Sequence, residues 1–405
     1  MNSADYIALE HKYGAHNYHP LPVVLSTGKG AQVWDVDGKC YFDFLSAYSA
    51  VNQGHMHPRI ISALSNQLQR LTLTSRAFYN DQLGPYEKYI TGCFGFDRVL
   101  PMNTGVEAGE TAIKLARRWA YDIKGVPQNQ ARIVFAAGNF WGRTLAAISS
   151  SDDPSSYSGF GPFMPGFERI AYNSIEALET ALSHTDVAAF MVEPIQGEAG
   201  VIVPDEGYLS EIRRLCTKNH VLWIADEIQT GLCRTGKMLA CDHEQVKPDI
   251  LILGKALSGG TLPVSAVLAS HEIMLTIKPG EHGSTYGGNP LACAVASEAL
   301  RVLIDERLDI NAHERGIQLR SGLQQLQHRF SFIKEIRGKG LLNAIEIDET
   351  SGIKAWDICI GLAQHGILAK PTHGHIIRFA PPLVITENEM DTCLHRMEQS
   401  LLTYA

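Results

Sequence analysis

The chain has 405 residues, 45% hydrophobic and 19% charged, which is the balance of a soluble fold and far from that of a disordered chain. A formal charge of -8 without any long Lys/Arg cluster argues against nucleic acid or an anionic membrane surface as partner. No apolar run approaches the ~20 residues that span a bilayer, and the length asks for a large domain with a smaller companion.

The start, Met1 to His19, contains Asp5, Glu10 and a single lysine, so it reads as neither a signal peptide nor an Arg-rich transit peptide. The cytoplasm is the expected location. Residues 1–49 then read as an arm, with short extended runs such as Ala31 to Asp35 and an aromatic segment from Tyr41 to Tyr48. From 50 to 289, apolar runs alternate with helix-like segments: Arg132 to Ala136, Ala188 to Val192, Val221 to Ala225, Ile250 to Leu253 and Val264 to Ala269. Fully apolar strands separated by helices predict an α/β domain, its mainly parallel sheet covered by helices on both faces.

Within this domain Thr104-Gly105-Val106-Glu107 is a capping box, and Ala108, Ala112, Leu115, Ala116 and Trp119 follow at helical spacing. A second helix starts at Asn289-Pro290, a good cap followed by proline at the first helical position. Residues 290–405 mix amphipathic helices with strands near Gly340 to Ile347 and Ile376 to Phe379, which predicts a smaller α+β domain. The eight cysteines are scattered with no CxxC pair, so they are expected to be reduced and mostly buried.

Four places carry chemistry. Trp223 to Asp226 is an apolar strand ending abruptly in charge, and ligands of open α/β sheets bind beyond such strand ends. A helix-capping or solvated role explains Asp226 about as well on this segment alone. Lys255 follows another apolar strand, among Gly254, Gly259 and Gly260; a lysine so placed can lose its proton and become the neutral amine that attacks an aldehyde, with a surface lysine of a strand-to-helix loop as the plainer alternative. Asn103 to Val106 opens a helix whose free N–H groups suit a phosphate ester. Gly138 to Arg143 brings Phe140 or Trp141 to stack on a flat ring, with core packing as the plainer alternative, and Arg143 to hold a carboxylate. An imine-forming amine, an acid for a ring nitrogen, a phosphate cradle and a stacking face together match pyridoxal 5'-phosphate.

From Tyr13-Gly14-Ala15-His16-Asn17-Tyr18 to Ile377-Arg378-Phe379-Ala380-Pro381-Pro382, the chain resembles the class III, or omega-amino-acid, aminotransferases of PLP-transferase fold type I. The resemblance implies that Lys255 forms the imine with the cofactor, Asp226 pairs with the pyridine N–H and Gln229 meets the ring hydroxyl. It further implies that Gly105 and Val106 bind phosphate and that Phe140 stacks on the ring. Ser284 would also bind the cofactor, and Thr285 would reach the phosphate of a neighbouring subunit, which implies a homodimer. Tyr18, Tyr48, Arg143, Glu198 and Arg378, with Trp141 beside them, resemble the substrate residues of members that act on ornithine and 2-oxoglutarate. Tyr18 and Arg143 would hold the α-amino and α-carboxylate end of ornithine, while Glu198 neutralises Arg378 until 2-oxoglutarate arrives. Alternatives are a relative acting on acetylornithine or 4-aminobutyrate, an aminomutase on the same scaffold, and a non-catalytic dinucleotide-binding protein. The last is disfavoured because no GxGxxG opens a helix.

Overall fold

The structure is a computed structural model and describes residues 1–404. Strands β1 (Leu25–Lys29), β2 (Gln32–Asp35) and β3 (Cys40–Asp43) form an antiparallel ribbon. The centre is a seven-stranded sheet made of β4 (Arg98–Met102), β5 (Arg132–Ala136), β6 (Phe167–Ile170), β7 (Val187–Val192), β8 (Leu222–Asp226), β9 (Ile250–Leu253) and β10 (Ser265–Ala269). Their order across the sheet is β4-β10-β9-β8-β7-β5-β6. Strands β5 to β9 run parallel, and β10 is antiparallel to both of its neighbours.

The inner strands β7, β8, β9 and β10 are buried at every position, which is why they read as unbroken apolar runs. The two strands that the apolar pattern does not reveal, β4 with Pro101 and β6 with Glu168 and Arg169, are the sheet's edges. Edge positions tolerate both proline and charge. Because β5, β7, β8 and β9 are parallel, the loops after Ala136, Val192, Asp226 and Leu253 all leave from the same end of the sheet. That end is where a ligand of such a fold is expected.

The helix Gly105–Trp119 begins with the capping box read from the sequence: Glu107 N–H donates to Thr104 Oγ1, and Thr104 N–H donates to Glu107 Oε2. Asn289 Oδ1 accepts from Ala292 N–H at 2.8 Å and starts the helix Pro290–Asp305, which packs on the helices Pro58–Leu68 and Leu83–Phe94.

Strands β11 (Ile333–Lys339), β12 (Leu342–Ile347), β13 (Ile367–Leu368), β14 (Lys370–Thr372) and β15 (Ile376–Phe379) complete the fold. All but β13 form an antiparallel sheet ordered β11-β12-β15-β14, while β13 pairs in parallel with β3. The first strands of the chain are therefore completed by its last third. Arg234 adds a second tie: fully buried, it donates to Asn52 Oδ1 at 2.6 Å, Leu341 O at 2.9 Å and Pro381 O at 2.6 Å. All eight cysteines are free, and only Cys40 and Cys93 are partly exposed. Among the described residues no helix is long and apolar enough to cross a membrane.

Candidate active site

A hollow of about 250 Å³ at the loop end of the sheet is lined by Val106, Phe140, Glu193, Asp226, Gln229 and Lys255. A second hollow of about 390 Å³ shares Lys255 and Gly105 with it and extends toward Ala47, Ser258 and Thr261. Lys255 and Asp226 thus converge because each follows or ends a parallel strand. The backbone at Lys255 is left-handed, with φ 44°, a conformation that side-chain-bearing residues adopt at a cost of about 1 kcal/mol or more. It opens a short 3-10 turn, Lys255–Ser258.

Electrostatics follow from burial. Burial lowers the Lys255 ammonium below the ordinary lysine range, against the pull of Glu198, Asp226 and Glu193. Asp226, 4% exposed, is pushed up to about 6 by burial, opposed by the Ile228 N–H and by Lys255. Its Oδ1 accepts from Ile228 N–H at 3.1 Å, so this residue caps its own loop while also facing the hollow. A protonated ring nitrogen beside it would supply the charge that restores its ionised form.

At the opposite wall the capping box occupies the N–H groups of Asn103, Thr104 and Glu107. Those of Gly105 and Val106 have no intrahelical partner, as in any first helical turn. A Cβ on Gly105 would stand 2.9 Å from Ile228 Cδ1, so the turn is packed closely against the Asp226 loop. Ser284 lies nearby, its Oγ accepting from Asn103 Nδ2 at 2.8 Å, and Thr285 is exposed beside it.

The two aromatics of the Gly138–Arg143 segment both line the hollow but are held differently. Trp141 is a core residue: its indole N–H donates to Ser150 Oγ at 2.7 Å and its ring stacks parallel to Phe135. Phe140 remains at the hollow, with Arg143 over its ring at 5.3 Å. Arg143 also donates to Ser156 Oγ at 2.9 Å.

The substrate candidates cluster around Arg378 on β15, which is 5% exposed. Arg378 Nη1 donates to Glu198 Oε1 at 2.8 Å and Nη2 to Oε2 at 3.2 Å. Burial raises Glu198, but Arg378, Lys255 and Gln229 outweigh it and hold the carboxyl below its ordinary range. Gln229 donates to Glu198 Oε1 at 3.4 Å. Tyr48 covers the Arg378 guanidinium at 4.9 Å. It stands on four successive left-handed residues, Ser46, Ala47, Tyr48 and Ser49, at φ 49°, 47°, 59° and 71°. Asp43 holds that turn by accepting from Leu45 N–H at 2.9 Å and Ser46 N–H at 2.8 Å. Tyr18 lies further out, 71% exposed, with Lys370 Nζ 5.5 Å from its ring.

Two parts of the site escaped the sequence reading. Glu193 follows the buried strand β7 just as abruptly as Asp226 ends β8, so the same signal could have found it. Thr372 and His373 meet the Glu198 carbonyl at 3.3 and 3.1 Å, a contact across 174 and 175 residues that no local pattern announces.

The residues present fit pyridoxal phosphate: free N–H groups for an anion, a buried carboxyl for a ring nitrogen, an aromatic face and an amine of lowered basicity. Comparison with known proteins agrees. Residues 13–401 match the family model described as aminotransferase class-III. The ornithine aminotransferase, mitochondrial, of Rattus norvegicus is 64% identical over 403 residues, covering 99% of this chain and 91% of the rat protein. A solved ornithine aminotransferase from Toxoplasma gondii, with partial occupancy of PLP at its active site, superposes with a TM-score of 0.98 at 53% identity, covering 99% of this chain and 94% of that one. An acetylornithine aminotransferase from Elizabethkingia anophelis superposes with a TM-score of 0.92 at 56% identity, and each chain is covered completely. With its fold, its partly buried lysine and the family match all in agreement, the chain belongs to the class III aminotransferases, a pyridoxal-phosphate-dependent family of fold type I.

Proposed function

We propose that the protein transfers the δ-amino group of L-ornithine to 2-oxoglutarate, giving glutamate and glutamate 5-semialdehyde, which closes to pyrroline-5-carboxylate. The observation that carries this reading is the closed Glu198–Arg378 pair beneath Tyr48. With Arg378 neutralised, an amino acid is turned so that its carboxylate stays near Tyr18 and Arg143 and its distal amine points inward. When a dicarboxylic oxo acid enters, Glu198 swings away and Arg378 takes the α-carboxylate. The 64% identity to a protein named ornithine aminotransferase supports the same substrate.

Pyridoxal phosphate supplies an aldehyde that binds amines covalently and a ring that accepts electrons from the substrate carbon. Lys255 would hold the cofactor, and its Nζ, once free, would take the proton from the distal carbon and return it. The Asp226 carboxylate keeps a proton on the ring nitrogen. Gly105 and Val106, with Ser284 and Thr285, would hold the phosphate; Phe140 would stack on the ring and Gln229 would meet its hydroxyl. Tyr48 and Trp141 close the substrate space.

The reading includes a homodimer, in which Thr285 serves the partner's site. Exposure of Thr285, Phe78, Tyr79 and Tyr286 supports it, as does the helix Ser3–Tyr13, which buries no residue. It also keeps the division into 1–49, 50–289 and 290–405, supported by a seven-stranded sheet that lies wholly inside the second part. The reading places the protein in the cytoplasm, where the product would link proline and arginine metabolism, whereas the rat relative is named mitochondrial. Cell fractionation decides between the two.

The test is a visible spectrum of the cofactor-loaded protein after ornithine, then 2-oxoglutarate, with acetylornithine and 4-aminobutyrate in parallel. Ornithine should bleach the band and 2-oxoglutarate restore it. Acetylornithine is included because a structure of that name is 56% identical, and a response to it instead of ornithine would overturn the substrate.

A further inference from the structure

Glu193 is 7% exposed, lines the hollow beside Asp226 and Lys255, and has no part in the proton transfers described above. Its carboxyl group faces two different loops. Oε1 accepts from Phe140 N–H at 3.0 Å, and Oε2 accepts from Gly197 N–H at 3.1 Å. The first loop presents the aromatic face of the hollow. The second carries Glu198, the partner of Arg378.

A parallel bridge reinforces this one. Gln196 Nε2 donates to Ala137 O at 2.7 Å, and Gly138, at φ 75°, lies so close that an added Cβ would sit 3.0 Å from Gln196 Oε1. The far side of the second loop is equally confined: a Cβ on Gly197 would meet the Gln229 carboxamide at 2.4 Å, and Arg378 Nη1 reaches Gly197 O at 3.3 Å. The backbone at 196–197 is thus held on both sides, and the freedom left for breaking the Glu198–Arg378 pair is rotation of the Glu198 side chain. Burial and the neighbouring Asp226 push Glu193 up to about 8, against the pull of its two N–H donors and Lys255. Both oxygens can accept from an N–H in either protonation state.

We propose that Glu193 is a positioning residue: by holding the Phe140 and Gly197 N–H groups on one carboxyl group, it keeps the Glu198–Arg378 pair closed against amino-acid substrates and thereby enforces reaction at the distal amine. If the loop shifts, Arg378 is released, the substrate α-carboxylate docks on it, and the α-amine faces Lys255. The inference rests on the reading of Glu198 and Arg378 as a switch.

The experiment uses the cofactor-loaded protein and its E193Q variant. The amide keeps one accepting oxygen but sets an N–H donor against a backbone N–H, so one of the two bridges is lost. The products from ornithine are separated by NMR: pyrroline-5-carboxylate from the distal amine, pyrroline-2-carboxylate from the α-amine. The distal-to-α ratio should fall about ten-fold, the scale of one buried hydrogen bond, and KM for 2-oxoglutarate should fall more than kcat does. If E193Q does not accumulate, E193D, one methylene too short to span both loops, carries the same expectation. An unchanged ratio in a folded variant, whatever happens to kcat, overturns the positioning role. A parent protein that leaves ornithine untouched overturns the proposed substrate instead, and the inference with it.

Discussion

The inner and outer ends of the site are built in different ways. At the inner end Lys255, Asp226 and Glu193 sit at the ends of parallel strands that are buried throughout, and the sheet register places them. At the outer end Tyr18 and Arg143 are exposed, the first met by Lys370 over its ring and the second by Ser156 of a neighbouring loop. The difference teaches that the chemistry common to a family can rest on the sheet, where ionisation is set by burial. On the proposed function, substrate choice is left to segments whose positions depend on distant parts of the chain.

Substitution at the inner end should be the more damaging. Lys255→Ala should reduce turnover by about 10⁴-fold, the upper range for loss of a general base, and remove the absorption that reports covalent attachment of the cofactor. Turnover near the parent level would dissolve the contrast altogether. Asp226→Ala should lower kcat by about 10²–10³-fold, the range for losing one preorganised electrostatic group. A near-normal kcat would mean that another group holds the ring nitrogen's proton.

The comparison sharpens with pH in the cofactor-free protein. Asp226 rises from 3.8 to about 6 on folding, so the folded state binds its proton more tightly than the unfolded state does. The stability tied to that proton is fully present below about 3.8 and is lost as pH rises through about 6. Asp226→Asn, which mimics the protonated form, should therefore gain stability relative to the parent across that window, by at most about 3 kcal/mol for a two-unit shift. Denaturant midpoints at several pH values measure this, and parallel curves for the two proteins would contradict it. The smallest effect belongs to the outer end. Tyr18→Phe should shift the preference for ornithine over 4-aminobutyrate by less than about ten-fold, as expected for one exposed hydroxyl hydrogen bond. An unchanged preference would remove Tyr18 from substrate selection.

What could be read early was what local chemistry decides. The capping box at Thr104, the proline start at Pro290 and the buried strands announce themselves because each has a one-dimensional signature. The edge strands β4 and β6 did not, since solvent on one side relaxes the apolar pattern. The left-handed turn under Tyr48 is also silent in sequence: Ser46 to Ser49 contains no glycine, and Asp43 with its two backbone bonds stabilises the conformation from outside.

The sequence by itself determined the fold class, the inner strands of the central sheet and the place of a lysine and an aspartate at the ends of two of them. Strand ends followed by charge, helix caps and periodicity are properties of neighbouring residues. Only the tertiary structure decided that Glu193 bridges the Phe140 and Gly197 loops and that β3 is completed by β13, whereas the Glu198–Arg378 pair was already implied by the family resemblance. Those contacts join segments tens to hundreds of residues apart. Their geometry is set by how sheets stack and loops interlock, which no short stretch of sequence encodes.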